Sequence, residues 1–361
     1  MTEITFPGVF VEEVPTHVHS IEGVSTSTTA FLGAGPRTEK PALVTSFRDF
    51  EQTFGLQLAG FLSIAVRGFF ENGGRRAYVT ISPSANPIAD GLQALEAMTD
   101  DRCSLVCCPD ESQLPGAAEQ LVVWCERRKN MFAILQSPPP PLPPESVAVP
   151  APSSYAAIYY PWLTVANLAG QGDVTAPPCG HVAGAYARND LERGVHRPPA
   201  SIGLMGAKGL SHELSSSEAD TLNARGVNTI RRVPAQGIVI WGARTTRNDQ
   251  EWHYVNVRRL FAFIQESIAH GTRWVVFEPN SPILWIDMRL TIEMFLRTLW
   301  ENGALAGSTP QEAFFVRCDR TTMTQEDVDA GRLVALVGVA LVQPAEFVII
   351  RITAHTQSCT S

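Results

Sequence analysis

The chain has 361 residues, 45% of them apolar and 18% charged, with a formal charge of −8. That length gives room for two or more domains with a sizeable core. The composition excludes a disordered chain, and a net negative chain without a Lys/Arg run argues against nucleic acid as a direct partner. The longest apolar run, Leu333 to Val342, is ten residues. A membrane-crossing helix needs about 20, so no membrane insertion is expected. The start, MTEITFPG, has neither a basic nor an apolar leader segment, and the seven cysteines show no CxxC spacing. Together these predict synthesis in the cytoplasm without a signal peptide.

The first element in chain order is PGVFVEEVP, Pro7 to Pro15. Gly8, Val9, Phe10, Val11, Glu12, Glu13 and Val14 read as one strand bounded by two prolines, which cannot donate to its ladder. No hairpin partner stands beside it; the next strand-like run begins near Thr26. STTAFLG reads as a strand. SFRDFEQTFG reads as a short helix with Ser46 as cap, Asp49 at its third position and Gly55 as stop. AGFLSIAVRGFFENGG puts Leu62, Ala65, Val66 and Phe69 on one helical face. A strand RAYVTIS, a helix near Ala89 to Met98, a strand CSLVCC, a helix near Ala117 to Lys129 and a strand MFAILQ follow. Short apolar strands between amphipathic helices predict α/β layering with a largely parallel sheet.

Eight prolines then crowd Pro138 to Pro152. That composition favours polyproline II and a stiff surface loop that crosses between layers, rather than regular pairing. YAAIYYPWL reads as a strand, PPCGHVAGAYARNDLERGV as a helix, and SSEADTLNARG as another helix capped by Ser216 or Ser217. From Ile230 a second α/β pattern is expected. GIVIWGA is its buried strand, and a helix from about Trp252 to His270 repeats Val257, Leu260, Phe261, Ile264 and Ile268 at helical spacing. TRWVVFEP is a strand. A helix from Pro282 to about Trp300 carries Trp285, Met288, Ile292, Phe295 and Leu299. EAFFVRCD is a strand, TQEDVDAG a short capped helix, and RLVALVGVAL a long apolar strand. After Pro344, EFVIIRITAH is again strand-like, with Phe347, Val348, Ile349, Ile350, Arg351 and Ile352 alternating between two faces.

The usual chemical signatures are missing. GLMGAKGLS near Lys208 lacks the order of a phosphate loop. GAGPR, Gly33 to Arg37, lacks the third glycine of a dinucleotide loop, and Pro36 breaks any helix there. His17 and His19 share a strand face but have no third ligand in view. Cys103, Cys107, Cys108 and Cys318 fit small apolar core positions, while capping and packing account for His181 and His253. Nothing resembles GxSxG, HExxH or a paired-carboxylate site. The residues therefore predict no catalytic centre, no cofactor and no metal, although active sites can also assemble across a chain.

Two strands without partners, one near each end, admit two readings. Each can fold back into its own domain, or be donated to the sheet of another copy. Donation to different neighbours would be heterologous and build rings or open helices.

The opening PGVFVEEVPTHVHSIEGVSTSTTAFLG resembles the start of the contractile tail sheath family, which covers phage tail sheaths, R-type bacteriocins and extracellular contractile injection systems. GIVIWGARTT, EWHYVNVRRLFAFIQESIAHGTRWVVFEPNSPILW, GALAGSTPQEAFFVRCD and GRLVALVGVALVQPAEFVIIRI are similar to its C-terminal third, while the middle from Pro138 to about Leu210 matches less well. The resemblance implies a mixed α/β (α+β) fold: two α/β layers, with N- and C-terminal β-strand arms exchanged between subunits. It implies an N-terminal arm over 1–23, an outer domain over 24–200, an inner tube-proximal domain over 201–344 and a C-terminal arm over 345–361. It further implies a structural subunit, not an enzyme, of a helical contractile sheath. The partners would be itself, an inner tube protein, and baseplate and terminator proteins, within a phage tail or a tail-like particle released from the cell. THVHSIEG and QPAE would be hinges. Arg258 and Arg259 are candidates for facing the tube, against the alternative of a solvated helix face. The competing function is a soluble α/β enzyme that forms a small closed oligomer.

Overall fold

The alternation of apolar runs and amphipathic helices builds one large sheet. In a computed structural model, residues 19–344 are described apart from 36–39, 57, 59, 85, 99–102, 169, 171, 248 and 250. In chain order the elements begin β1 (Thr29–Ala34), β2 (Ala42–Val44), α1 (Phe47–Phe54), α2 (Leu62–Glu71), β3 (Ala77–Ser82), α3 (Pro87–Glu96), β4 (Leu105–Cys107), α4 (Ala117–Arg128) and β5 (Phe132–Gln136). Then come β6 (Ala156–Tyr160), β7 (Leu163–Ala166), β8 (Asp173–Ala176), α5 (Cys179–Arg193), β9 (Ile202–Gly203), β10 (Ala207–Leu210), α6 (Ser216–Ala224), β11 (Val227–Val233) and β12 (Gly237–Trp241). The last third holds α7 (Val255–Gly271), α8 (Pro282–Glu301), α9 (Pro310–Ala313), β13 (Phe314–Arg317), α10 (Gln325–Asp329) and β14 (Leu336–Val339).

Nine strands form a sheet in the order β2-β3-β1-β4-β5-β6-β11-β12-β9. The run from β3 to β11 is parallel, while β2, β12 and β9 pair antiparallel at the margins. Parallel strands must be covered on both faces. One face packs on α1, α2 and α5 through Phe50, Leu62, Val66, Phe69, Val182 and Tyr186. The other packs on α3, α4 and α6 through Ile88, Leu92, Leu121, Trp124 and Leu222. The proline-rich stretch makes the β5–β6 crossover that a helix makes elsewhere in this sheet. It lies on the second core through Leu142, Val147 and Val149, and the Leu142 carbonyl accepts from the Tyr160 hydroxyl at 2.7 Å.

The last third is built differently: α7 and α8 enclose a third core with β13 and β14, a separate two-stranded antiparallel sheet. Several expectations shift accordingly. Ile230 and GIVIWGA do not open a second pattern, because β11 pairs with β6 and β12 with β11 inside the large sheet. TRWVVFEP is not a strand. After α7 only a turn of 3-10 helix remains, Arg273–Val275, and Val276 and Phe277 stand exposed with no ladder beside them. Of the long apolar run, Leu336–Val339 form the strand, and Leu341 beyond it makes a single bridge to Leu305. The cap of α6 is Ser215, one residue before the expected pair, because Glu218 then completes a capping box. The terminal strands, Gly8 to Val14 and Phe347 to Ile352, lie outside the described residues.

Helices α2 and α5 meet through glycines. A Cβ at Gly184 would stand 2.7 Å from Asn72 Cβ and overlap the Phe69 carbonyl, and one at Gly180 would overlap the Ala65 carbonyl. The obstructing atoms are mostly backbone and cannot turn aside. Gly184→Ala is therefore expected to destabilise the subunit by about 1–3 kcal/mol, as overpacking does. Denaturant melts should show it, and an unchanged midpoint would contradict this packing.

Candidate assembly surface

The described residues singled out for chemistry are packed or paired within the fold. Cys103, Cys107, Cys108 and Cys318 are buried thiols in the cores. Leu62 packs where a side chain at Gly33 would be, and Lys208 is ion-paired with Asp173 across the β10-β7-β8 sheet at 2.5 Å. His17 lies outside the described residues; His19 stacks on Trp274 with ring centroids 3.7 Å apart. His181 is buried in α5 against Gly68, and burial, with Arg67 nearby, lowers its pKa to about 4. Among the described residues no group of three or more His, Cys, Asp and Glu is placed to hold a metal.

The enzyme alternative has its best foothold at the carboxyl ends of β4 and β5, where open parallel sheets bind ligands. Asp110 and Glu111 are buried there, but both serve the backbone. Asp110 Oδ1 accepts from the Phe61 N–H at 2.8 Å, and Glu111 Oε1 accepts from the Gln136 N–H at 3.0 Å. Burial raises the Glu111 pKa to about 8. The native chain thus keeps a proton that the unfolded chain sheds above about pH 4.5, its ordinary value. Stability from this group falls as pH rises from there through about 8.

Arg258 and Arg259 are only 6% and 5% exposed, so neither lies on a solvated helix face. Arg258 lies over Trp252 at 3.4 Å and Tyr155 at 4.4 Å, and donates to the Tyr155 hydroxyl at 3.2 Å. Arg259 makes a two-armed ion pair with Asp190 of α5 at 3.0 and 2.5 Å, over the ring of Tyr186. Its Nη2 also donates to the Thr26 carbonyl at 2.8 Å. The two arginines therefore join the C-terminal layer to the large sheet unit. The sequence carried no sign of this, because their hydrogen-bond partners stand 69 and more residues away.

What remains open is a surface. Both ends of the described chain leave from the C-terminal layer. Residues 19–26 lie along α7, so the second half of the expected hinge THVHSIEG is held in place rather than free to bend. At the other end Asn256 Nδ2 donates to the Val342 carbonyl at 3.4 Å. In this layer, β13 and β14 have no strand neighbours but each other among the described residues, and Phe315 and Leu336 are exposed. Helix α8 also carries an exposed apolar stripe of Ile283, Ile286, Leu290 and Met294 at spacings of three and four, with the fully exposed Phe277 in the turn before it. Such patches mark contact surfaces. The sequence reading saw only the buried face of α8, because apolar residues occur on both.

Residues 88–246 match the phage tail sheath protein central domain, and residues 247–355 match the phage tail sheath C-terminal domain. The tail sheath protein of Escherichia phage P2 is 29% identical over 154 residues, 41% of this chain and 37% of that protein, so the match spans little more than a third of that relative. Two solved structures align over nearly the whole length. The sheath complex of the extracellular contractile injection system PVC, in its contracted state, is 29% identical at TM-score 0.83, covering 98% of each chain. The helical sheath of the anti-feeding prophage, also contracted, is 31% identical at TM-score 0.82, covering 97% of this chain and 99% of that one.

Glu111→Gln tests the buried acid. The amide mimics the protonated carboxyl but cannot ionise. Relative to the unaltered chain, its melting temperature should rise more at pH 8 than at pH 5; equal changes at both would contradict a buried proton there.

Proposed function

The chain belongs to the phage tail sheath family, and on that premise we propose that it is the repeating subunit of a helical contractile sheath in a phage tail or an extracellular contractile injection particle. The enzyme alternative finds no support in these matches. The observation that carries the assembly reading is the β13–β14 sheet. Among the described residues it has two strands with no further strand on either edge, and the chain leaves directly from it at Val342. A two-stranded sheet is marginal in water, and an open edge is a template for a further strand. An arm from one neighbour on one edge and an arm from another on the second would give four strands and a continuous mesh. In this reading Gly8 to Val14 and Phe347 to Ile352 are the added strands.

The remaining parts follow from that arrangement. The C-terminal layer faces inward, with the stripe of α8 rather than Arg258 and Arg259 available to an inner tube protein. The large sheet unit lies outside. This places the inner boundary after β12 rather than at residue 201. A chain 30% identical to this one occurs in a structure of the anti-feeding prophage baseplate, and contacts to baseplate and terminator proteins belong to the same reading. Contraction is a shift between two packings of rigid subunits, with the energy stored at assembly rather than supplied by a nucleotide. The buried thiols fit synthesis in a reducing cytoplasm, with later release in the particle.

Deleting residues 1–15 tests the arm. The deleted strand would give a neighbour several backbone hydrogen bonds, each about 0.5–1.5 kcal/mol, and its own core little. The expected result is an unchanged melt and no sheaths by electron microscopy. Loss of the folded monomer would mean that the strand pairs at home. Ile286→Glu with Leu290→Glu should likewise leave the subunit folded, since both positions are exposed, but block assembly around a tube. Normal tube-filled sheaths from that variant would overturn the role given to α8.

A further inference from the structure

The described chain begins as a strap laid antiparallel along α7. Thr26 meets Arg259, Gly23 meets Phe263, Val24 meets Ser267, Ile21 meets Gly271, and His19 stacks on Trp274 just beyond the helix. The lengths agree. From Arg259 to Gly271 the helix rises about 18 Å, close to the roughly 17 Å that five residues from Thr26 to Ile21 can reach at full stretch. The partners stand at every fourth position of α7, although Gly23 and Val24 meet theirs in crossed order.

The fastenings differ along its length. Near His19 they are a stack and apolar contacts. In the middle the Val24 N–H donates to the buried Ser267 hydroxyl at 3.1 Å. At Thr26 they become a lock. The carbonyl accepts from Arg259 at 2.8 Å, the hydroxyl donates to Asp190 Oδ2 at 2.7 Å, and Arg259 holds Asp190 with both arms. Three elements close on this point: the strap, α5 and α7.

We propose that residues 19–26 are a clamped tether, locked by Arg259 and Asp190, which delivers the pull of the N-terminal arm to α7 and α5 before it can reach β1. This rests on the reading that the arm pairs with another copy. A pull along the helix axis loads every fastening at once, in shear, whereas a strap held only at Thr26 would peel from its free end. β1, inside the large sheet, is therefore shielded from tension while subunits shift. Arg259 and Asp190 are positioning residues in contraction.

The test has two readouts on the full-length chain. The first is amide hydrogen exchange in the isolated subunit. Arg259→Met should speed exchange across residues 24–28 at least ten-fold and leave β3 to β6 unchanged, and Arg259→Lys should restore part of the protection. Ser267→Ala, which buries no unpaired charge, should speed exchange at Val24 and serves if Arg259→Met does not fold. Unchanged strap exchange in the folded variants would overturn the clamp. The second readout is electron microscopy before and after triggered contraction. Sheaths of a strap-loosened variant should break into fragments while unaltered sheaths stay continuous; intact contracted sheaths with a loosened strap would overturn the tether. If the unaltered chain built no sheath, the assembly reading would fall, and the exchange result would still decide whether the clamp exists.

Discussion

A pair of strands that closes no barrel and joins no larger sheet leaves backbone donors and acceptors on two sides. In this chain that pair is β13–β14, and the C-terminal layer is arranged around it. Helix α8 covers one side of the pair through the core of Ile292, Phe295, Leu296 and Val316, but nothing among the described residues pairs with either edge. Free edges are normally blunted by short strands, charges or prolines. Here they are short, four residues each, and apolar at Phe315 and Leu336. That combination suits completion by another chain better than exposure to water. The exit of the chain at Val342 and the exposed stripe of α8 lie in the same layer.

The large sheet supplies the opposite quality, rigidity. Its strands are buried on both faces, its glycine-mediated α2–α5 contact leaves no room for repacking, and its polar side chains are largely turned to internal use. Asp110 and Glu111 hold loop backbone, and Tyr159 and Tyr186 share a buried hydroxyl contact. The arginine pair at the start of α7 fastens this block to the assembly layer. A buried ion pair contributes little net stability against an apolar replacement, but breaking one partner is costly. Such a joint suits parts that must move as one body between two packings.

Much of this was legible in the sequence, and what was not has physical causes. The first helix was readable from Ser46, Asp49 and Gly55 because its signals are local and all three agree. The long helices α7 and α8 were readable because 3.6-residue spacing needs no distant partner. Strand identity failed where the partner decides. Gly237 to Trp241 belongs to the large sheet only because β11 lies beside it, and TRWVVFEP has a strand-like composition but no neighbour. The same limit hid the assembly surface. Arg258 and Arg259 look like surface charges until Asp190, Tyr155 and Trp252 are brought to them, and an exposed Leu290 cannot be told from a buried Ile292 by residue type.

The central claim is that β13–β14 is completed by strands from other copies. Cryo-electron microscopy of the assembled particle at side-chain resolution tests it most directly, by tracing which segments lie against Phe314–Arg317 and Leu336–Val339. The account predicts a four-stranded sheet in which Gly8–Val14 of one neighbour and Phe347–Ile352 of another flank the pair. A map in which both terminal strands return to the edges of their own chain would contradict it.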